Sequence, residues 1–248
     1  GTGLLTFFLT NTRADVIFVY YSAGLEEPIL RNVSTQLVTF ENLNEPLRPR
    51  IVPTSTETPD NFLLLWSSYN STSPIMRYGT VPGTYDRVFP ASTSTIEKSD
   101  LCGAPATTIG WYDLGLIHQA NFSGMIDLAD TTIYYIFGDE DTGNFSPEYA
   151  FYVPPLAGST RSDRGTRLIL YDDLGRGSTD MTYTWDHYGD PSILTTMAVG
   201  NEVFNGSVDA IYHGGDISYA TGYLSVWDFF MDQVDTVCTV GVYCRCVL

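Results

Sequence analysis

Positive charge, histidine and long apolar runs are scarce in this chain. Of its 248 residues, 12 are Lys or Arg against 29 Asp or Glu, giving a net charge of −17, and Lys98 is the single lysine. No basic cluster is available to neutralise phosphates in series, so nucleic acid and anionic membrane surfaces are excluded as expected partners. The acidic field would repel a phosphate ester at long range, but screening confines that repulsion to about 10 Å. A bound cation would invert its sign locally, so phosphate chemistry stays open. No apolar run reaches the length of a membrane span. The opening GTGLLTFFLTNTRAD lacks the Met and basic flank of a signal peptide, which reads as a removed signal or a start inside a longer chain. Histidine occurs only at His118, His187 and His213, and cysteine only at Cys102, Cys238, Cys244 and Cys246. Zinc ligands usually come as spaced pairs, so the three late cysteines are expected to be incidental, and no disulfide pairing follows from them.

What the chain does have is enough apolar residue, 44%, for a packed core. Up to about residue 155 it consists of short runs of β-branched and aromatic residues between turn formers. TFFLTN, DVIFVYY, TQLVTFE, RIVPTS, NFLLLWSS, IMRYGTV, LIHQANFSGM, TIYYIFGDE and EYAFYVPP are all strand-sized. Many short strands with few helix signals predict β-sandwich architecture. The proline-rich NEPLRPRIVP at 44–53 reads as a joint. An incomplete β-domain is expected over 1–47 and a second β-sandwich over 48–155.

Beyond residue 156 the texture changes. LILYDD is a continuously apolar strand, a helix is predicted from Pro191 to Phe204, and VDAIYHGGD is another apolar strand. Buried strands separated by a helix form a βαβ unit, which makes the strands parallel neighbours. Ligands of such sheets bind at the carboxyl ends of the strands. Both strands end in acid, at Asp172-Asp173-Leu174-Gly175 and Gly215-Asp216. Carboxylates with a nearby phenol, Tyr219, are hard oxygen donors suited to a di- or trivalent cation, and one shared carboxylate could bridge two metals. The plainer reading is that acids at strand ends cap the following turn. Sequons at Asn32, Asn70, Asn121, Asn144 and Asn205 favour a secreted glycoprotein, the fourth weakened by Pro147.

GDISYATGYLSVWDFF resembles the second metal-binding motif of purple acid phosphatases, and DDLG resembles the first, with Asp172 in place of a glycine. DLCGAPATTIGWYDLGLIHQA at 100–120 and VPPLAG at 153–158 resemble the fibronectin III-like domain of plant-type members. YYSAGLEEPILRNVSTQLVTFENLNEPLRPRI resembles the extra N-terminal β-domain of the larger ones. The resemblance implies a partial calcineurin-like metallophosphoesterase domain over 156–248. It implies a dinuclear centre of Fe(III) with Zn, Mn or Fe(II), for which Asp173 would be a ferric ligand, Asp216 the bridging carboxylate and Tyr219 the phenolate. The implied activity is hydrolysis of phosphate monoesters, with nucleotide pyrophosphatase/phosphodiesterase and a non-catalytic secreted binding module as alternatives. The G-N-H-E motif, the lone His and the G-H-x-H pair that would complete the ligand set are missing, and the last dozen residues depart from the family. That pattern fits a truncated or frame-shifted product of weak or no activity. His118 and His213 are expected to be structural, and His187 a solvated or gating residue. Asp172 is expected to point to solvent. A sheet of only two strands would leave an apolar face for a dimer or partner to cover.

Overall fold

The computed structural model describes residues 4, 6, 8–24, 26–54, 60–156, 159, 165–177, 190–238 and 243–246. The molecule is mainly β. Near the N-terminus β1 (Val19–Ser22) and β2 (Ile29–Val33) form an antiparallel hairpin that joins no other sheet among the described residues. Neither TFFLTN nor TQLVTFE is a strand in its described residues; Val38 of the latter makes only an isolated bridge to Val16.

The main body is one eight-stranded antiparallel sheet curled on itself. Its strands are β3 (Leu47–Pro53), β4 (Phe62–Ser68), β5 (Pro74–Gly79), β6 (Arg87–Ser94), β7 (Leu116–Phe122), β8 (Thr132–Asp139), β9 (Asn144–Phe145) and β10 (Tyr149–Tyr152). They run in the order β10-β8-β5-β6-β7-β4-β3, with β9 on β8. The two layers are continuous because β6 changes partner midway: its first half, to Pro90, pairs with β5, and its second half, from Ala91, pairs with β7. Proline donates no ladder hydrogen bond, so the crossing point is where it fits. β6 was illegible in the sequence for the same reason, being a mostly exposed, polar strand with a proline inside. Elsewhere the two-residue period holds: β4 alternates buried and half-buried residues along its length. Leu64, Trp66, Met76, Phe122, Tyr135 and Phe137 fill the space between the layers.

The stretch read as a joint, 44–53, largely forms the edge strand β3. Pro49 lies where its register against β4 shifts, and Arg48 beside it takes a left-handed φ of 61°. Edges and bulges are the places where a strand tolerates proline.

At the other end β11 (Leu168–Asp172) and β12 (Ala210–Gly214) pair in parallel, joined by a connection containing α1 (Asp190–Phe204), and α2 (Leu224–Cys238) follows. The expected two-strand sheet has a third member: β13 (Tyr243–Cys246) pairs in parallel with β12. Cys238 is disulfide-bonded, so it is not the incidental residue expected, while Cys102 is free and exposed. The chain's departure from the expected motif thus does not prevent it from extending the sheet. One sheet face carries Ile211 in a core with Val199, Val203, Phe230 and Val234 of the helices. The opposite face leaves Leu168, Leu170 and Tyr212 exposed. No described helix is long and apolar enough to cross a membrane.

Candidate functional site

The turns after β11 and β12 interlock. Asp173 Oδ1 accepts the Asp216 N–H at 2.9 Å, and the Gly175 N–H donates to the Ile217 carbonyl at 2.9 Å. A Cβ on Gly215 would lie 2.3 Å from Asp173 Oδ1, so only glycine lets that carboxylate close over the turn. A Cβ on Gly175 would lie 3.1 Å from the Tyr219 ring, which packs against that glycine. Asp173 (φ 52°), Tyr219 (φ 51°) and Thr221 (φ 47°) all occupy the left-handed region. Such strain costs roughly 1–3 kcal/mol per residue and concentrates where function requires it.

Asp173, Asp216 and Tyr219, spread over 47 positions of sequence, therefore meet on one edge of the sheet, the two acids exposed and the phenol half-buried. As a donor set they suit a hard cation in kind but not in number. Among the described residues, no group of three His, Cys, Asp or Glu side chains is placed to hold a metal ion. Asp172 is exposed, and its carboxylate lies over its register partner Gly214, where a Cβ would come within 2.4 Å of Oδ1. The small residue at 214 makes room for the larger one at 172.

The histidines do other work. His118 is fully buried in the curled sheet, with Nε2 2.8 Å from Ser68 Oγ and Nδ1 2.9 Å from Thr93 Oγ1. Burial pushes its pKa down to about 4. His213 is buried beneath the Asp216 turn, its ring 4.7 Å from that of Tyr171 and 5.8 Å from that of Phe230. Burial lowers its pKa against the opposing pull of the Asp216 backbone and the Asp172 and Asp173 carboxylates. His213 also lines a cavity of about 450 Å³ with Leu65, Trp227 and Met231, between the curled sheet and α2. His187 lies outside the described residues. Of the sequons, Asn32, Asn70, Asn121 and Asn205 are exposed. Asn144 is half-buried, its Nδ2 donating to the Asn44 carbonyl and its Oδ1 accepting from Asn42.

Residue-by-residue reading of the sequence missed what holds these turns in place. Asp228, Asp232 and Asp235 recur at intervals of four and three along α2, which puts them on one helical face. Asp228 receives Arg13 Nη2 at 2.6 Å and Arg48 Nη1 at 3.0 Å. Arg48 also reaches Asp232, and Arg50 reaches Asp235 and the Met231 carbonyl. Burial raises the pKa of Asp228 and Asp235 despite these arginines. Next to this ladder the loop before β7 touches the Tyr219 turn: the Leu224 N–H donates to the Gly110 carbonyl at 2.9 Å, and a Cβ on Gly110 would fall 2.0 Å from the Gly222 carbonyl oxygen. The acidic spacing on α2 was visible in the sequence, but its partners, up to 215 residues away, were not.

Residues 46–152 match the family model described as the purple acid phosphatase N-terminal domain. Two curated relatives from Arabidopsis thaliana, named probable inactive purple acid phosphatases 27 and 1, are 34% and 32% identical over 98% of this chain. The chain spans 39% of the length of each. A nucleotide pyrophosphatase/phosphodiesterase from Hordeum vulgare is 33% identical over 100 residues, 38% of this chain and 26% of that protein. The structure of a purple acid phosphatase from yellow lupin (Lupinus luteus) seeds superposes with a TM-score of 0.87 and 29% identity, over 98% of this chain and 42% of the lupin chain. The interlocked turns, the curled sheet beside them and these similarities agree: the chain belongs to the purple acid phosphatase family.

Proposed function

We propose that this chain belongs to a secreted phosphate monoester hydrolase, and that by itself it hydrolyses such esters weakly or not at all. The observation carrying this reading is the pair of interlocked, strained turns that brings Asp173, Asp216 and Tyr219 together. Asp173 and Tyr219 would hold a ferric ion, with Asp216 shared between it and Zn, Mn or Fe(II). A metal pair bound there would supply Lewis acidity toward a phosphoryl oxygen. The chain's own contribution is positional: Gly215 and Gly175 let the Asp173 carboxylate and Tyr219 ring close onto the turns, and the Asp216 N–H fixes Asp173. Weak activity follows from ligand number, since two carboxylates and a phenol leave most of two coordination spheres unfilled.

The test is metal content by mass spectrometry, the visible spectrum, and turnover of p-nitrophenyl phosphate by the purified chain. We expect less than one equivalent of iron and turnover close to the uncatalysed rate. Near-stoichiometric metal with a visible band abolished by Tyr219→Phe would overturn the weak-activity reading and establish a working site.

A non-catalytic binding module is the second reading, favoured by the same short ligand set and by the word inactive in the names of the Arabidopsis relatives. The barley relative's name supports a nucleotide pyrophosphatase/phosphodiesterase as the alternative substrate class. Secretion is supported by the four exposed sequons. The exposed Leu168, Leu170 and Tyr212 support a dimer or partner over the open sheet face.

A further inference from the structure

We propose that Asn32 carries an N-linked glycan whose first sugar lies on the ring of Tyr20 and covers that face of the β1–β2 hairpin. The hairpin needs a cover. It joins no larger sheet among the described residues, and a lone two-stranded ribbon is marginal in water. Its apolar side chains are open to solvent, with Tyr20 62%, Tyr21 51%, Ile29 49% and Leu30 55% exposed. Successive side chains alternate faces, so the bare side shared with Asn32 is that of Tyr20, and Tyr21 lies on the other.

The register names the cover. Tyr20 stands directly opposite Asn32 in the antiparallel pair. Directly opposed residues share a face with Cβ atoms roughly 5 Å apart. A sugar joined to Asn32 thus begins beside the Tyr20 ring, whose electron-rich face attracts the C–H groups along one side of a pyranose. The acceptor atom is available as well. Asn32 Oδ1 takes the Val33 N–H at 2.9 Å, while Nδ2 has no protein partner among the described residues. Asn144 is the internal contrast, because its Nδ2 is already bonded. In the transfer, Asn32 Nδ2 loses a proton and bonds to the anomeric carbon of an oligosaccharide, which leaves its lipid diphosphate carrier. The redox state of every atom is unchanged.

The inference rests on the secretory reading, and the experiment separates the two. The chain is fused to a secretion signal and produced in insect cells, and site occupancy is read by peptide mass spectrometry after enzymatic deglycosylation in heavy-oxygen water. Hydrogen exchange of the hairpin amides is then compared for wild type, Tyr20→Thr, Asn32→Gln and the double variant. Asn32 is expected to be occupied, and its glycan to slow hairpin exchange by roughly three- to tenfold, the range of a single aromatic contact. Tyr20→Thr should abolish that slowing yet change nothing in the Asn32→Gln background. Occupied Asn70 and Asn121 with an empty Asn32 would overturn this inference and leave the secretory reading intact. Five empty sequons on secreted protein would overturn both. An occupied Asn32 with exchange indifferent to Tyr20, or a hairpin buried by dimerisation, would overturn the stacking.

Discussion

The curled sheet and the βαβ end handle buried polar groups in different ways. Within the sheet, His118 is paired by Ser68 and Thr93, and burial of Asp139 is outweighed by hydrogen bonds from Ser71, Ser73 and Thr142 that hold its pKa well below the usual carboxylate range. All of these partners belong to the same body. Along α2, by contrast, the buried Asp228 takes its charged partners among the described residues from outside, from Arg13 and Arg48. His118 and Asp139 are answered within the sheet, whereas the acids of α2 are answered across the junction. The helix that follows the Asp216 and Tyr219 turn is therefore tied to the β-domain, and the turn touches that domain at Gly110.

The largest effect should come from breaking the pairs across the junction. Asp228→Ala leaves the Arg13 and Arg48 guanidiniums buried without their shared carboxylate, and loss of one partner of a buried pair costs about 3–5 kcal/mol. Urea unfolding would measure it, with hydrogen exchange showing the loss centred on α2. Equal loss of protection in β4 and β8 would dissolve the contrast between the regions.

Acid should act on the two regions with opposite signs. The His118 pKa falls from 6.5 to about 4 on folding, so the stability it contributes is complete above pH 6.5 and lost as pH falls toward 4. A shift of that size corresponds to roughly 3 kcal/mol. The raised Asp228 and Asp235 hold their protons more tightly in the folded state than in the unfolded one. Their contribution therefore improves as pH falls toward the ordinary carboxylate range. Denaturation at pH 7 and pH 4.5 should show wild type losing stability and His118→Gln losing much less; parallel loss in both proteins would refute the assignment.

Gly222→Ala is a smaller perturbation aimed at the junction. The residue has φ +91°, and an added Cβ would meet Pro105 Cγ at 2.8 Å. A cost of about 1–3 kcal/mol is expected, seen as a lower melting temperature and faster exchange at 219–224. Leu170→Ser should do least: at 70% exposed it stands on the open sheet face, so stability should change by about 0.5 kcal/mol or less while the concentration at which the chain aggregates rises.

Local signals carried much of the structure. The helix expected over Pro191–Phe204 is α1, and the apolar runs LILYDD and VDAIYHGGD became parallel neighbours. Failures came where an element lacks a local signal. β2 places all of its residues in solvent, β6 is polar, and β13 follows a stretch with no recognisable pattern. The acids at the strand ends were legible because glycine flanks them. The arginines were not, because an ion pair between Arg13 and Asp228 leaves no trace in the residues around either.

The arginines of β3 have one more consequence, which concerns synthesis. β3 is the outermost strand of its sheet, and α2 is made about 180 residues later. Until α2 is present, β3 offers unpaired backbone to any neighbouring nascent chain. Charged side chains on an open edge discourage such pairing. Arg48 and Arg50, which in the finished fold anchor the helix, are charges of that kind on β3.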